Sequence, residues 1–250
     1  MIAVLTSHTQ VAKKLQQRLV ASGDKQKKAW YENYIKHNTR FWGVPLPQVE
    51  REFKLWHHEH NLADKTPDQL LTLAMHLLAQ RHTEAKLAAI LLLEKHVCLS
   101  LSWKLLSSKF RLLWERELIH DWYVCDAFCL RVLRKMLVKH ENTYARHLIK
   151  QCGAPYVWQA RSAVVPFVGN TETYGELVYA ACARLIKRDE RFAKTAVGWL
   201  LRELSCHDPD TTTAFLFKYR KHLTTEVMDN ALKYFSLPHK RATKEALRAG

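Results

Sequence analysis

The sequence is poor in the residues that reverse chain direction. Its 250 residues include 7 glycines and 7 prolines, and long stretches carry neither. Sheets need frequent turns built on Gly, Pro, Asn and Asp, so the scarcity favours helices over strands. No apolar run approaches the ~20 residues that cross a bilayer, so no membrane span is expected. The opening MIAVLTSHTQVAKK has no charged segment ahead of its short apolar stretch and does not read as a signal peptide. The expected location is intracellular: cytoplasmic, with the nucleoid, in a bacterium, or nuclear in a eukaryote.

Cofactor-binding signatures are missing as well. The cysteines are Cys98, Cys125, Cys129, Cys152, Cys182 and Cys206, scattered through apolar helical runs with no CxxC pair. They read as small buried hydrophobes in a reducing compartment. Cys125 and Cys129 share a helix face, but no matching Cys/His pair follows at ligand spacing. His57-His58-Glu59-His60 is not HExxH, and helix phase scatters its side chains, so it reads as a solvated face. There is no Gly-rich phosphate loop, catalytic serine motif or iron–sulfur cysteine set. No metal and no cofactor are expected.

What is abundant is basic charge and helical periodicity. Lys and Arg number 39 against 24 Asp and Glu, a formal net charge of +15. Charge of that size bears on partners, and points to nucleic acid or an anionic surface. With 48% hydrophobic residues the chain can bury a sizeable core. HTQVAKKLQQRLVAS, DKQKKAWYENYIKH, QVEREFKLWHHEH and PDQLLTLAMHLLAQRH are amphipathic at the helical period. Helix starts are signalled by Thr66-Pro67-Asp68, by Thr83 and by Asp208-Pro209-Asp210. The best strand candidate, VVPFVG, follows a helical pattern and contains Pro166. The tail SLPHKRATKEALRAG reads as a short basic helix.

A faint repeat runs through the chain. Ala85-Lys86-Leu87-Ala88, Ala160-Arg161-Ser162-Ala163 and Ala193-Lys194-Thr195-Ala196 share an Ala-basic-x-Ala start. With a further unit at Trp122 the mean period is about 36 residues, within the roughly 34–47 of two-helix repeats that stack into a solenoid. The second position of the unit reads Lys86, Tyr123, Arg161 and Lys194. If the second helices line a concave face, these side chains form a ladder for a phosphate backbone. Ordinary helix-start surface charge is the plainer alternative, although basic residues at a helix start oppose the macrodipole and need another reason to be there. A break at residues 41–49 sets off the first helix pair, and nothing marks a second globular domain, so residues 1–250 are expected to form one domain.

Four residues stand out for chemistry. Trp122 and Asp126 are four apart and share a helix face; Arg161 lies in WQARSAVVPF and Trp199 in KTAVGWLLREL. Indoles attract cations, a carboxylate stabilises developing positive charge, and the chain is basic. The set suits a cationic group carried on a polyanion, as in alkylated DNA. Taken singly, each residue also has a structural reading: the tryptophans as core, Asp126 as a surface acid or a partner of Arg131, Arg161 as half of a structural ion pair.

At these residues the chain resembles the AlkD-type DNA alkylation repair enzymes, a family of HEAT-like-repeat DNA glycosylases. The likeness runs from about Trp30 to Tyr234 through YIKHNTRFWGVPLP, the W-x-x-x-D of Trp122 and Asp126, the W-x-x-R-x-A of Trp158 and Arg161, and KTAVGWLLREL followed by Asp208-Pro209. The resemblance implies an all-α, C-shaped superhelix with a basic concave groove that holds duplex DNA. It implies hydrolysis of the N-glycosidic bond of N3- or N7-alkylated purines, with Asp126, Trp122 and Trp199 at the active site and Arg161 on the DNA backbone. Lys86, Lys194 and Tyr123 are further expected DNA contacts, and either Trp30 or Tyr31 fills the family's N-terminal aromatic position. Tyr123 departs from the Asp the family often has there, and Ala160 from its frequent second Arg. The expected enzyme is a monofunctional monomer acting on double-stranded DNA with alkylated bases. The alternatives are a non-catalytic binder of damaged or branched DNA and, third, a protein-binding scaffold.

Overall fold

The computed structural model describes residues 2–249, with side chains from residue 8 to 248. The chain is all-helical: among the described residues no strand forms, only an isolated bridge between Arg40 and His82. VVPFVG is a single 3-10 turn, Val165–Phe167, flanked by turn residues, because Pro166 withholds the ladder donor a strand would need. Among the described residues no helix is long and apolar enough to cross a membrane. The helices fall into two compact units, residues 1–140 and 141–250.

The first unit contains α1 (Ile2–Ala21), α2 (Lys25–Tyr34), α3 (Leu46–Glu59), α4 (Pro67–Leu78), α5 (Thr83–Leu92), α6 (Trp103–Glu115) and α7 (Trp122–Phe128). Local chemistry sets the starts. Asp24, Ser102 and Asp121 each accept the amide three residues on, and Thr66 forms a full capping box with Gln69 ahead of Pro67, satisfying amides the helix leaves orphaned. Thr83 is not the cap expected from the sequence. His82 holds that position without a side-chain bond, and the Thr83 hydroxyl is engaged with that of Thr39 at 3.2 Å.

Every residue of α5 is buried, as befits a helix apolar nearly all round. It packs against α3, α4 and α7 and is the core of the unit. The single carboxylate in α5, Glu84, accepts three consecutive amides, from Trp42, Gly43 and Val44, at 2.8–3.1 Å. That bond set pins the 41–45 loop to the core helix.

The second unit contains α9 (Val157–Ser162), α10 (Thr171–Leu185), α11 (Arg191–Leu204), α12 (Pro209–Lys218), α13 (Thr225–Ala231) and α14 (Leu237–Ala249). Its core helix is α11, which buries Ala193, Ala196, Val197, Leu200, Leu201 and Leu204. Gly198 lets α13 approach closely: a Cβ there would lie 3.1 Å from the Val227 Cα. Asp208 caps α12 as its Asp-Pro signal predicted. The basic tail helix docks, with Thr243 buried and Lys244 paired to Asp229.

The division of the chain falls inside α8 (Arg134–Lys150), which carries non-helical torsions at Glu141 (φ 44°). The break expected at 41–49 does follow the first helix pair, as a loop over 41–45 that runs into α3, and it lies within the first unit. The cysteine expectation is corrected at one position: five are buried and Cys206 is exposed, because it lies just beyond the end of α11.

Candidate functional site

Helix α7 begins where the Asp121 side chain accepts the Val124 amide at 2.8 Å. That cap fixes Trp122 as the first helical residue. Val124, Cys125 and Phe128 turn into the core, and Trp122, Tyr123 and Asp126 are left half-exposed. The helix then passes through a π-helical turn, Cys129–Leu133, a feature found often beside functional sites. The i, i+4 spacing places the Trp122 indole and the Asp126 carboxylate one turn apart. Arg131, a candidate partner for Asp126 in the sequence, bonds Glu94 and Glu50 at 2.9 and 3.0 Å.

Around Trp122 the aromatic rings form a closed circuit. Trp122 meets Tyr34 edge-on at 5.6 Å, and Tyr34 stacks on Trp30 at 5.2 Å and 7°. Trp30 meets Tyr31 at 5.3 Å, and Tyr31 stacks on Phe41 at 5.2 Å. Phe41 approaches Tyr123 at 6.5 Å, and Tyr123 returns edge-on to Trp122 at 5.9 Å. Of the two N-terminal aromatics left open by the sequence, Trp30 is the more exposed, at 60%, while Tyr31 is half-buried. The ring that touches Trp122 is neither of them but Tyr34, 54% exposed. Its position four residues after Trp30 is the signal that could have found it.

Beneath these rings lie buried ionisable groups. Burial pushes the Glu84 and Asp121 carboxyls above their ordinary range, against the backbone amides that hold them. Burial also raises the Tyr31 and Tyr123 phenols, with the Glu84 carboxyl adding to the effect. These phenols are therefore neutral donors at physiological pH.

The four ladder positions do not form a row of exposed cations. Lys86 is 2% exposed, and its ammonium donates to the Leu78 and Leu118 carbonyls; burial lowers its pKa to about 8. Arg161 is 4% exposed, and Nη1 donates to the Phe192 carbonyl at 2.8 Å and the Thr195 hydroxyl at 3.2 Å. Lys194, half-buried, donates to the His222 carbonyl at 2.9 Å. Each of these cations reaches a carbonyl 28–32 residues further along the chain, close to one repeat on. The position binds one repeat to the next, which supplies the reason a basic residue sits near these helix starts against the dipole. Lys86 and Arg161 are thus buried with their donors turned to the protein, and Tyr123, the fourth member, belongs to the aromatic circuit.

Trp199, in the second unit, is half-buried on α11. The Arg202 guanidinium lies 5.9 Å from its ring and 5.7 Å from that of Tyr234, so the indole is in a cation-attracting setting. Its Nε1 is buried and has no acceptor among the described residues.

The family model for DNA alkylation repair enzymes matches residues 15–235. The structure is similar to that of a predicted DNA alkylation repair enzyme from Enterococcus faecalis, with a TM-score of 0.73 at 20% identity, covering 86% of this chain and 98% of that one. It is also similar to smu.31 from Streptococcus mutans, with a TM-score of 0.53 at 16% identity, covering 75% and 98%. No curated protein matches the chain. The two structural likenesses speak for the fold, and the family match spans nearly the whole sequence, including α7 and its aromatic surroundings: the chain belongs to the DNA alkylation repair enzyme family.

Proposed function

We propose that the protein is a monofunctional DNA glycosylase that releases positively charged N3- or N7-alkylated purines from duplex DNA. The observation that carries the reading is the pairing on α7 of a half-exposed indole and a carboxylate one turn apart, Trp122 and Asp126, beside exposed aromatic rings. Family membership supports it.

The chemistry needs little more. Alkylation at N3 or N7 puts a formal positive charge on the purine, so the base leaves with the glycosidic electron pair as a neutral molecule and needs no general acid. Positive charge develops on the deoxyribose as the bond breaks. The Asp126 carboxylate stabilises that charge and orients the water whose oxygen bonds to C1′, the released proton passing to the carboxylate or to solvent. Trp122 supplies a π face that attracts the cationic nucleotide, worth about 0.5–2 kcal/mol or more when desolvated, and excludes bulk water. Trp199, on its own unit, is assigned the same kind of contact by the family resemblance.

Attack by water rather than by an amine makes the enzyme monofunctional. Lys86 has a depressed pKa of about 8, as a Schiff-base lysine would. It is nonetheless buried with its ammonium donated to two carbonyls, so it is not available as a nucleophile.

The test is release of 7-methylguanine and 3-methyladenine from methylated duplex DNA by wild type and Asp126→Asn. Release by wild type with a loss of at least about 100-fold in the variant is expected, the scale seen on removing one electrostatic stabiliser. Equal release by both would remove Asp126 from the mechanism. No release by either, with DNA binding intact, would leave a non-catalytic DNA binder.

A further inference from the structure

A second concave feature of the first unit lies where α2, the 35–40 loop and His82 meet. It is a cavity of about 340 Å³ lined by Lys28, Glu32, His37, Thr39, Arg40 and His82. Its floor is fixed. The Thr39 hydroxyl is buried against that of Thr83, Arg40 accepts the Thr83 amide at 2.9 Å, and the His82 imidazole stacks on Trp42 at 4.2 Å and 11°.

Its wall is strained. Lys36 and His37 are consecutive non-glycine residues with left-handed φ of 57° each. Such backbone persists where the surroundings hold it and tends to mark binding sites. The single carboxylate of the lining, Glu32, directs one oxygen to the Phe41 amide at 3.2 Å.

The charges in this cavity are poorly matched without a ligand. Burial first, then Lys28 and Arg40, with Arg81, hold the His82 imidazole below its ordinary pKa, while Glu32 pulls it the other way. Neither Lys28 nor Arg40 has a carboxylate within salt-bridge distance among the described residues. Two exposed cations, two imidazoles and a threonine around a small cavity form a donor set for a tetrahedral oxyanion. Lys28 lies three residues before Tyr31 on α2, and Arg40 directly precedes Phe41, so the cavity borders the aromatic circuit through the stacked Tyr31–Phe41 pair.

We infer that the Lys28–Arg40–His82 cavity is a binding site for one backbone phosphate of a DNA strand whose sugar and base lie against the neighbouring aromatic rings. This rests on the DNA-directed reading of the preceding subsection. The site takes over the task expected of the repeat ladder, from residues that the repeat does not contain. The phosphate bridges Lys28 and Arg40 and relieves their mutual repulsion; Trp30 and Tyr34 offer their faces to the adjoining nucleotide. Contacts of this kind place a duplex without reading its sequence.

The experiment is fluorescence anisotropy of a labelled, undamaged duplex binding to the full chain over a salt series. Wild type is compared with Lys28→Gln/Arg40→Gln and with a control of equal charge loss on exposed α1, Lys13→Gln/Lys14→Gln. Each phosphate neutralised contributes about −0.9 to the slope of log affinity against log salt. The cavity variant is expected to lose about one such increment and to bind at least about fivefold more weakly at low salt. The control keeps the wild-type slope, and Lys28→Arg/Arg40→Lys, which retains both charges, keeps it too. An unchanged slope in the cavity variant overturns the site, as does an equal change in the control or a loss in the charge-preserving variant. Base release from methylated duplex at saturating protein is scored separately. A changed slope without any release keeps the phosphate site and removes the glycosylase; release with an unchanged slope does the reverse.

Discussion

The Tyr34 ring meets the Trp122 indole edge-on at 5.6 Å, tying the last residue of α2 to the first residue of α7. The contact sets the position of the indole that shares a helix face with Asp126. Tyr34 is also half-exposed and stacked on Trp30, so it has one face for the protein and one for a ligand. Tyr34→Ala is expected to lower stability by about 1 kcal/mol, the scale of one aromatic pair. It should weaken binding of methylated duplex by more than that, because stacking on a nucleotide contributes about 1–3 kcal/mol. Urea unfolding and anisotropy on the same variant separate the two effects. A binding loss no larger than the stability loss would make Tyr34 purely a packing residue.

The loop that carries Phe41 depends on Gly43 and Glu84. Gly43 has φ 90°, and a Cβ there would lie 2.0 Å from the Asp24 carbonyl oxygen and 2.7 Å from the Lys28 amide. Gly43→Ala is expected to cost at least about 2 kcal/mol of stability. Because α2 begins at this contact and Trp42 precedes Gly43, stacked on His82, the variant should also red-shift the tryptophan emission as the Trp42 indole gains water. Glu84→Ala strands the three loop amides and should be comparably damaging, whereas Glu84→Gln keeps an acceptor oxygen for them and should be much milder. Equal damage from Ala and Gln would show that the negative charge, not the acceptor, holds the loop.

Stability should fall on mild acidification. His57 and His96 stack at 4.5 Å and 17°. Burial holds both imidazoles below their ordinary value, and each is further lowered by nearby cationic groups, His58 and Lys95 for His57, and His57 and Lys95 for His96. A base with a lowered folded pKa binds fewer protons folded than unfolded. Its contribution is complete above about pH 6.5, the unfolded value, and is lost as pH falls through that value towards the folded one. His8, His82, His140 and His147 shift in the same direction. Glu84 and Asp121 act oppositely: their raised folded pKa values mean that the fold gains protons as pH falls. Urea midpoints measured from about pH 7.5 to 5.5 should therefore decline, less steeply in His57→Asn/His96→Asn and more steeply in Glu84→Gln. A flat profile in wild type would refute the assignment.

The sequence disclosed what local chemistry controls. Thr66-Pro67 and Asp208-Pro209 cap the helices they were expected to cap, since capping oxygens and first-turn prolines act over three residues. Trp122 and Asp126 fall on one helical face because their spacing is within a single turn. What depends on long-range packing was hidden. Thr83 resembles a cap, but its hydroxyl is taken by Thr39, 44 residues away. The irregular torsions at Glu141 lie in a polar run with no Gly or Pro to announce them. The cavity at Lys28 and Arg40 draws on His82 from beyond α4, and no pattern in the sequence joins these residues.

The ladder shows the same limit most clearly, and its correction makes the last prediction. Basic side chains in a repeated position suggest a surface row only if they are exposed, and periodicity does not report exposure. Lys86 sits in a helix buried on every side, and its ammonium serves the Leu78 and Leu118 carbonyls beside the Asp121 carboxyl. Lys86→Met keeps the length of the side chain and removes its donors, leaving two carbonyls without that partner and Asp121 without its nearby cation. Removing one partner of a buried charged group typically costs about 3–5 kcal/mol, so the variant should be severely destabilised. Its salt slope for duplex DNA, measured at a temperature where it is folded, should equal that of wild type, since an ammonium inside the core releases no counterion from DNA. The opposite pair of results, normal stability with a reduced slope, would return Lys86 to the DNA surface.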